Sequence, residues 1–434
     1  MSATGQTSQP FRSPIGTRDV LPPESARWDA LVATFSDLVS RWGFSRLLTP
    51  VFEHLEVVHR AGESSDVVTK EVYRFADRSG RELALRPEGT APVVRSFVEH
   101  RPPTPWKVWY FAPNFRYERP QKGRYRQHHQ LGVEALGTTD PWLDVEIIAM
   151  AWDFYQAVGL GGVELRLNSL GDPEDRAAYR EALLAYVAPH LGDLSEESQR
   201  RVDINPLRLF DAKAPNDREI MQGAPTLNDF LGGDARAHFD AVRSGLDQLG
   251  VPYTLDDRLV RGLDYYMRTT FEFAATSLDA AQNAVGGGGR YDGLAASMGG
   301  PDEPGIGFGI GVERLLLALG SALDARLRTD VFVIDLRRDV DPTAAPSVLT
   351  VSAELRRDGL SVEHTYDRRS VKAQWKAADR HDARFAVLFG EREVAAGTVQ
   401  VKDLDSGEQA EVALQDVASL VRQAAGDDSA PPLD

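Results

Sequence analysis

None of the 434 residues is a cysteine, which excludes disulfides, thiolate zinc sites and a cysteine nucleophile. Any chemistry must run on carboxylates, arginines, histidines or hydroxyls, and a reducing, cytoplasmic setting fits. No apolar run approaches the roughly 20 residues needed to span a bilayer, so no membrane partner is expected. Residues 1–13 lack the charged-then-apolar order of a secretory leader, and no internal repeat is present. Positive charge is also scarce, with 49 Lys and Arg against 65 Asp and Glu, a net charge of -16. That balance discourages a nucleic-acid partner only until screening is considered. At physiological salt, charges more than about 8 Å apart hardly sense each other, so local sign decides. Between residues 101 and 130, seven Lys or Arg face the single acid Glu118, a local net charge of +6.

What the chain does have is an ordinary globular composition, 42% hydrophobic and 26% charged, and enough length for two or three cores. Residues 1–12 read as a flexible extension. Amphipathic spacing predicts a helix over Ser25–Trp42, followed by strands at Leu47–Phe52, Val72–Phe75, Leu83–Leu85, Lys107–Ala112 and Tyr125–Glu134 and a helix over Leu143–Val158. Pro50 suggests that its strand is an edge or an interface. Residues 171–249 change to short helical pieces punctuated by Pro173, Pro206 and Pro225, which reads as a helical insertion. Strands resume at Arg258–Phe273, and glycine-rich stretches at 284–294 and 305–311 lead into an apolar helix, Val312–Leu319. Residues 330–425 alternate strand and helix, a separate α/β domain of usual size, and 426–434 read as a disordered tail. The fold class is thus α/β. The first domain, 13–325, is expected to be α+β, with a mostly antiparallel sheet flanked by helices.

Three constellations carry chemistry. Phe115-Arg116-Tyr117-Glu118-Arg119, a loop with Gln121, Lys122 and Arg124, and a returning strand through Gln130 to Glu134 form a hairpin with arginines at its mouth. Guanidinium groups make paired, charge-assisted bonds to phosphate, which suits a nucleotide or a nucleic-acid end; a solvated charged hairpin is the plain alternative. Gly305-Ile306-Gly307-Phe308-Gly309-Ile310-Gly311-Val312-Glu313-Arg314 puts glycine at every second position, baring one strand face. A purine could lie on that face, and close packing explains it equally. Arg86-Pro87-Glu88-Gly89-Thr90 turns from strand to helix; Glu88 and Thr90 suit an ammonium group, and helix capping explains them almost as well.

Together these features resemble the class II aminoacyl-tRNA synthetases, with Trp42–Pro50, Phe115–Glu118 and Gly305–Arg314 matching their three motifs. Leu-Val-Arg-Gly-Leu-Asp-Tyr-Tyr at 259–266, Gly-Gly-Arg-Tyr-Asp-Gly-Leu at 288–294 and Ile15–Asp19 are similar to signatures of the histidine-specific branch. The resemblance covers residues 13–425. It implies a histidyl-tRNA synthetase, which condenses L-histidine with ATP and passes the histidyl group to histidine tRNA, as a homodimer, with Mg2+ accompanying ATP. It also makes residues 330–425 an anticodon-binding domain. Residues 364–384 carry six Lys or Arg and three acids, compatible with RNA contact or simply with a solvated helix face.

The resemblance gives individual residues jobs. Arg116 and Arg261 would be catalytic, holding the α-phosphate from opposite sides. Arg124 and Arg314 would reach the outer phosphates, with Glu118 also in the ATP site. Histidine would be bound by Glu88, Thr90, Gln130, Glu134, Arg261, Tyr265 and Tyr266, Glu134 and Tyr266 reading the imidazole. As adjacent strand residues, Tyr265 and Tyr266 should point to opposite faces, with Tyr265 the one more readily assigned to the core. Arg119 and Gln121 would meet the acceptor end of the tRNA. No protein metal motif is implied. The rival is a non-catalytic paralogue of the ATP phosphoribosyltransferase regulatory-subunit type, which usually lacks the C-terminal domain and erodes the ATP arginines; both are kept here. A histidine-sensing module would need a fused output domain, and none is expected from residues 1–434.

Overall fold

A computed structural model describes residues 11–62, 65–204, 206–212, 214–260, 262–279, 283–323, 328–337, 346–366 and 369–425. Most of the expected N-terminal extension, the tail and Arg261 lie outside these. The chain divides into two compact units, Met1–Ala325 and Arg326–Asp434.

The first unit begins with α1 (Glu24–Arg41), whose buried residues Ala26, Trp28, Leu31, Phe35, Leu38 and Val39 recur at helical spacing. There follow β1 (Ser45–Arg46), β2 (Phe52–His54), α2 (Leu55–Arg60), α3 (Asp66–Thr69), β3 (Arg74–Ala76), β4 (Glu82–Leu85) and α4 (Thr90–His100). Next come the long hairpin of β5 (Trp106–Phe115) and β6 (Gln127–Leu136), then α5 (Pro141–Ala157) and β7 (Val163–Ser169). The start of α5 is written locally, with Pro141 in its first turn and the Asp140 carboxylate accepting the Trp142 N–H at 3.0 Å. Helices α6 (Pro173–Val187), α7 (Glu196–Ile204), α8 (Pro215–Gln222) and α9 (Gly233–Leu249) fill the stretch to β8 (Thr254–Leu255). The unit closes with β9 (Met267–Ala275), β10 (Ala284–Arg290), α10 (Leu294–Ser297), β11 (Gly305–Gly311) and α11 (Val312–Leu319).

Eight strands form one sheet in the order β1-β5-β6-β11-β10-β9-β7-β8. It is antiparallel except for the short parallel additions of β1 and β8 at its two edges. One face is apolar: Leu131, Val133, Ala135, Ile306, Phe308 and Ile310 pack with side chains of α1, α5, α9 and α11 in the main core. The alternate residues of the same strands, Gln130, Gly132, Glu134 and the four glycines of β11, point the other way. The register pairs Gly307 with Glu134 and Gly311 with Gln130. A three-stranded sheet, β2-β4-β3, stands beside it in this unit.

In the second unit, β12 (Val331–Asp335), α12 (Val348–Arg357), β13 (Val362–His364), α13 (Val371–Arg380), β14 (Phe385–Phe389), α14 (Glu391–Ala396), β15 (Thr398–Asp403), β16 (Gln409–Ala413) and α15 (Val417–Ala425) follow in turn. The sheet order is β13-β12-β14-β15-β16, parallel through the first three strands and antiparallel thereafter.

The mixed α/β class is as expected, and several boundaries shift. Residues 47–51 are not a strand, because Pro50 follows Thr49 at the point where the Arg86 guanidinium takes the carbonyls of Thr49 and Pro50. The strand expected at Arg258–Phe273 begins only at Met267, so Tyr265 and Tyr266 sit in the turn before it.

Candidate active site

The polar face of the sheet gathers most of the site residues read from the sequence. Glu134 is 1% exposed, and its carboxylate accepts three hydroxyls: Thr90 Oγ1 at 2.7 Å, Tyr291 Oη at 2.7 Å and Tyr110 Oη at 3.3 Å. Burial pushes its pKa up to about 8, against the pull of those hydroxyls and with a further push from Glu88. Glu88 is buried as well, and accepts the backbone N–H groups of Thr90 at 2.5 Å and Ala91 at 2.7 Å. It therefore caps the first turn of α4 while remaining beside Glu134, so capping and site location coexist in one carboxylate. Its pKa is raised by burial, opposed by those two N–H bonds.

The bare face of β11 explains how these groups fit. A Cβ on Gly307 would overlap the Glu134 carboxylate, and one on Gly305 would overlap the Tyr291 ring. Gly309 faces the Gln130 amide. The glycine space at 305 and 307 is thus taken up by neighbouring side chains. Towards the other end, Gly311 joins Arg116, Glu118, Arg124, His128, Gln130, Gly286 and Arg314 in lining a cavity of about 250 Å³.

That cavity is an anion site by its chemistry. Arg116 donates from Nε to the Pro87 carbonyl at 2.8 Å, and Arg314 donates from Nη1 to the Ala284 carbonyl at 2.9 Å. Carbonyls orient these guanidiniums without neutralising them. Arg124 pairs with Glu118. The pKa of Arg314 is lowered by burial first and by Arg124 second, which puts two like charges near one space. Burial and then Arg116 hold His128 well below the ordinary histidine pKa, so it lines the cavity uncharged at neutral pH. Glu313, which also lines it, is turned to His129, accepting its backbone N–H at 3.0 Å and lying 2.9 Å from Nδ1. Gln130 accepts the Asn114 amide at 2.6 Å.

Tyr265 and Tyr266 are not on opposite faces. Released from a strand's alternation, their rings touch, with centroids 4.6 Å apart. Tyr265 lies 5.8 Å from the Tyr291 ring and close enough to Glu88 and Glu134 that, after burial, they raise its phenol pKa further. Tyr266 packs on the apolar cluster of the helices between β7 and β8, and its carbonyl accepts Arg176 Nη1 at 3.0 Å. Arg119 and Gln121 are exposed on the hairpin loop, away from the buried carboxylates. Gln121 lines a second cavity of about 510 Å³ with Lys122, Leu278, Asp279 and Arg314. Sequence reasoning missed Tyr110 and gave Tyr291 no job. Alternation puts Tyr110 on the site face, but nothing local shows that its ring fills the space over Gly89 and Gly132.

A sheet of antiparallel strands, an arginine-mouthed hairpin and a glycine strand running into a helix with its own arginine define a nucleotide-using site of the class II synthetase type. Residues 16–315 match the model of the histidyl-tRNA synthetase family, and residues 330–424 match an anticodon-binding domain. A histidine-tRNA ligase from Moorella thermoacetica is 48% identical over 417 residues, covering 94% of this chain and 97% of that protein. One from Streptococcus pneumoniae strain CGSP14 is 46% identical, covering 94% and 96%. The crystal structure of apo histidyl-tRNA synthetase from Staphylococcus aureus superposes with a TM-score of 0.79 at 35% identity, over 95% of this chain and all of that one. The chain belongs to the histidyl-tRNA synthetase family. These relatives favour the ligase over the regulatory paralogue.

Proposed function

We propose that this protein condenses L-histidine with ATP on the polar face of the eight-stranded sheet and then transfers the histidyl group to the 3' end of histidine tRNA. The observation that carries this is the junction of two unlike sites: a cavity walled by Arg116, Arg124 and Arg314, and the buried Glu88–Thr90–Glu134 cluster. Gln130 belongs to the first and lies along β6 from Glu134. The triphosphate would take the arginine side, Arg116 on the α-phosphate and Arg124 and Arg314 on the outer phosphates, with Glu118 holding Arg124 in line. Each charge-assisted bond of this kind contributes about 1.5–3 kcal/mol.

Histidine would take the carboxylate side. Glu88, Thr90 and Gln130 bind its ammonium and carboxylate, while Glu134, Tyr265 and Tyr266 surround its imidazole. A site whose buried polar groups are completed only by that ring rejects analogues lacking it by roughly 10⁴ or more. Arg261, by the family resemblance, opposes Arg116 across the α-phosphate, so that the two guanidiniums stabilise charge growing on phosphorus. Mg2+ would arrive with ATP. Both carboxylates lining the cavity, Glu118 and Glu313, are already engaged, so phosphate oxygens and water would supply most of its ligands.

Arg119 and Gln121, on the exposed hairpin loop, would meet the tRNA acceptor end, and the second unit the anticodon. The domains follow as 13–325 for catalysis, with 171–249 inserted, and 330–425 for the anticodon. A homodimer is part of the reading. Exposed Leu48, Val51, Phe52 and Phe75 around the short sheet support it. Among the described residues no helix is long and apolar enough to cross a membrane. The test is histidine-dependent ATP-pyrophosphate exchange run against all twenty amino acids: a signal with histidine alone is expected, and its absence would overturn the reading.

A further inference from the structure

Directly behind the site, on the helix-covered face of the sheet, lies a buried ionic cluster that binding and phosphate chemistry do not use. Arg290, the last residue of β10, and Asp144, in the first turn of α5, are both 0% exposed. Arg290 Nε donates to the two Asp144 carboxylate oxygens at 2.8 and 3.0 Å, and Nη2 reaches Oδ1 at 2.6 Å. Its remaining N–H groups donate to the carbonyls of Thr138 and Asp140, each at 3.1 Å. The second Asp144 oxygen lies 2.8 Å from Nε2 of His238, on α9 of the helical insertion. Asp292, 3.4 Å from Arg290, accepts the Gly305 N–H at 3.0 Å.

A buried pair of this kind costs desolvation that its attraction barely repays, so it is weak evidence for stability and better evidence for fixing a geometry. The geometry in question is Tyr291. Arg290 pairs in register with Ile306, on the core face, so Tyr291, the next residue, points to the opposite face. There its hydroxyl donates to Glu134, and its backbone N–H donates to the Gly305 carbonyl at 2.8 Å. Arg290 and Asp292 therefore clamp the chain on both sides of the tyrosine.

We propose that His238, Asp144 and Arg290 are positioning residues for histidine recognition, holding Tyr291 on Glu134 and tying the insertion helix α9 to the amino-acid side of the site. The inference rests on the assignment of Glu134 to the imidazole, and touches nothing on the ATP side. Removing the outermost member loosens the clamp least and Arg290 most. His238→Ala should raise the KM for histidine about 3- to 10-fold in ATP-pyrophosphate exchange, with the KM for ATP within twofold of wild type. His238→Gln, whose amide can still donate to Asp144, should recover most of the loss. Arg290→Lys, which cannot form the fork, should raise it further if the variant folds.

Hydrogen exchange read by mass spectrometry gives a readout independent of the substrate: the Tyr291 and Gly305 amides should exchange at least 5-fold faster in His238→Ala and return towards wild type in His238→Gln. A lower melting temperature in His238→Ala with unchanged histidine KM and unchanged exchange at those amides would make the cluster merely structural and overturn the proposal. Faster exchange in His238→Ala, together with a wild-type protein that shows no histidine-dependent activity, would instead sink the functional reading and leave the clamp standing.

Discussion

Replacing Glu134 by Gln separates burial from recognition in a single side chain of the same size. Its carboxyl has a pKa of about 8 in the folded protein, where burial outweighs three hydroxyl donors, against 4.5 for the free group. Between those values the folded state keeps a proton that the unfolded state has lost, so folding takes up a proton and stability falls as pH rises through the window. The full shift corresponds to about 5 kcal/mol, and relaxation of the site would reduce that to a few kcal/mol. The amide cannot ionise and escapes this loss. Urea unfolding of the first unit's signal should therefore show the variant close to wild type at pH 5 and more stable by on the order of 1–3 kcal/mol at pH 8.5. Function should move the other way. The amide offers the imidazole a different donor and acceptor set, and a buried polar group left mismatched costs about 1–3 kcal/mol, so the KM for histidine in ATP-pyrophosphate exchange should rise about 5- to 100-fold, with the KM for ATP little changed. An unchanged histidine KM together with parallel pH profiles would refute both the desolvation argument and the contact.

Arg261→Ala is expected to cut the rate of adenylate formation by at least 100-fold while leaving histidine binding by calorimetry near wild type; near-normal exchange would remove it from the phosphate. Arg314→Ala should raise the KM for ATP at least 10-fold with histidine affinity preserved, and equal losses for both substrates would count against its placement on the nucleotide side. Gly307→Ala puts a methyl group against the Glu134 carboxylate and the Val133 carbonyl, so it should abolish histidine-dependent exchange or prevent folding; a variant with wild-type kinetics would show that the site is looser than described.

Much of the local structure is legible in the sequence because it is local. The 3.6-residue spacing of Leu31, Phe35 and Leu38 makes α1, Asp140-Pro141 starts α5, and alternation marks the β5–β6 hairpin. Alternation also runs through Val163–Ser169, which goes unread beside the glycines that precede it, and β16 and α14 are too short and polar to stand out. Tyr265 and Tyr266 fail differently. Aromatic, β-favouring residues read as strand, whereas the chain delays β9 until Met267 and brings both rings to one side.

The sequence by itself determined the family, the class of fold and the residue types of the site, because arginine spacing, alternating glycines and signature stretches are properties of contiguous chain. Only tertiary structure decided what surrounds Glu134. Thr90, Tyr110 and Tyr291 come from α4, β5 and the turn after β10, and Glu88 joins them through the N-terminus of α4. Desolvation by residues far away along the chain moves that carboxyl's pKa, and no local pattern of residues encodes such an enclosure. The same holds for Asp144, whose partners Arg290 and His238 lie 146 and 94 positions away along the chain. Their meeting depends on sheet order and helix packing, which long-range burial settles after local propensity has made the elements.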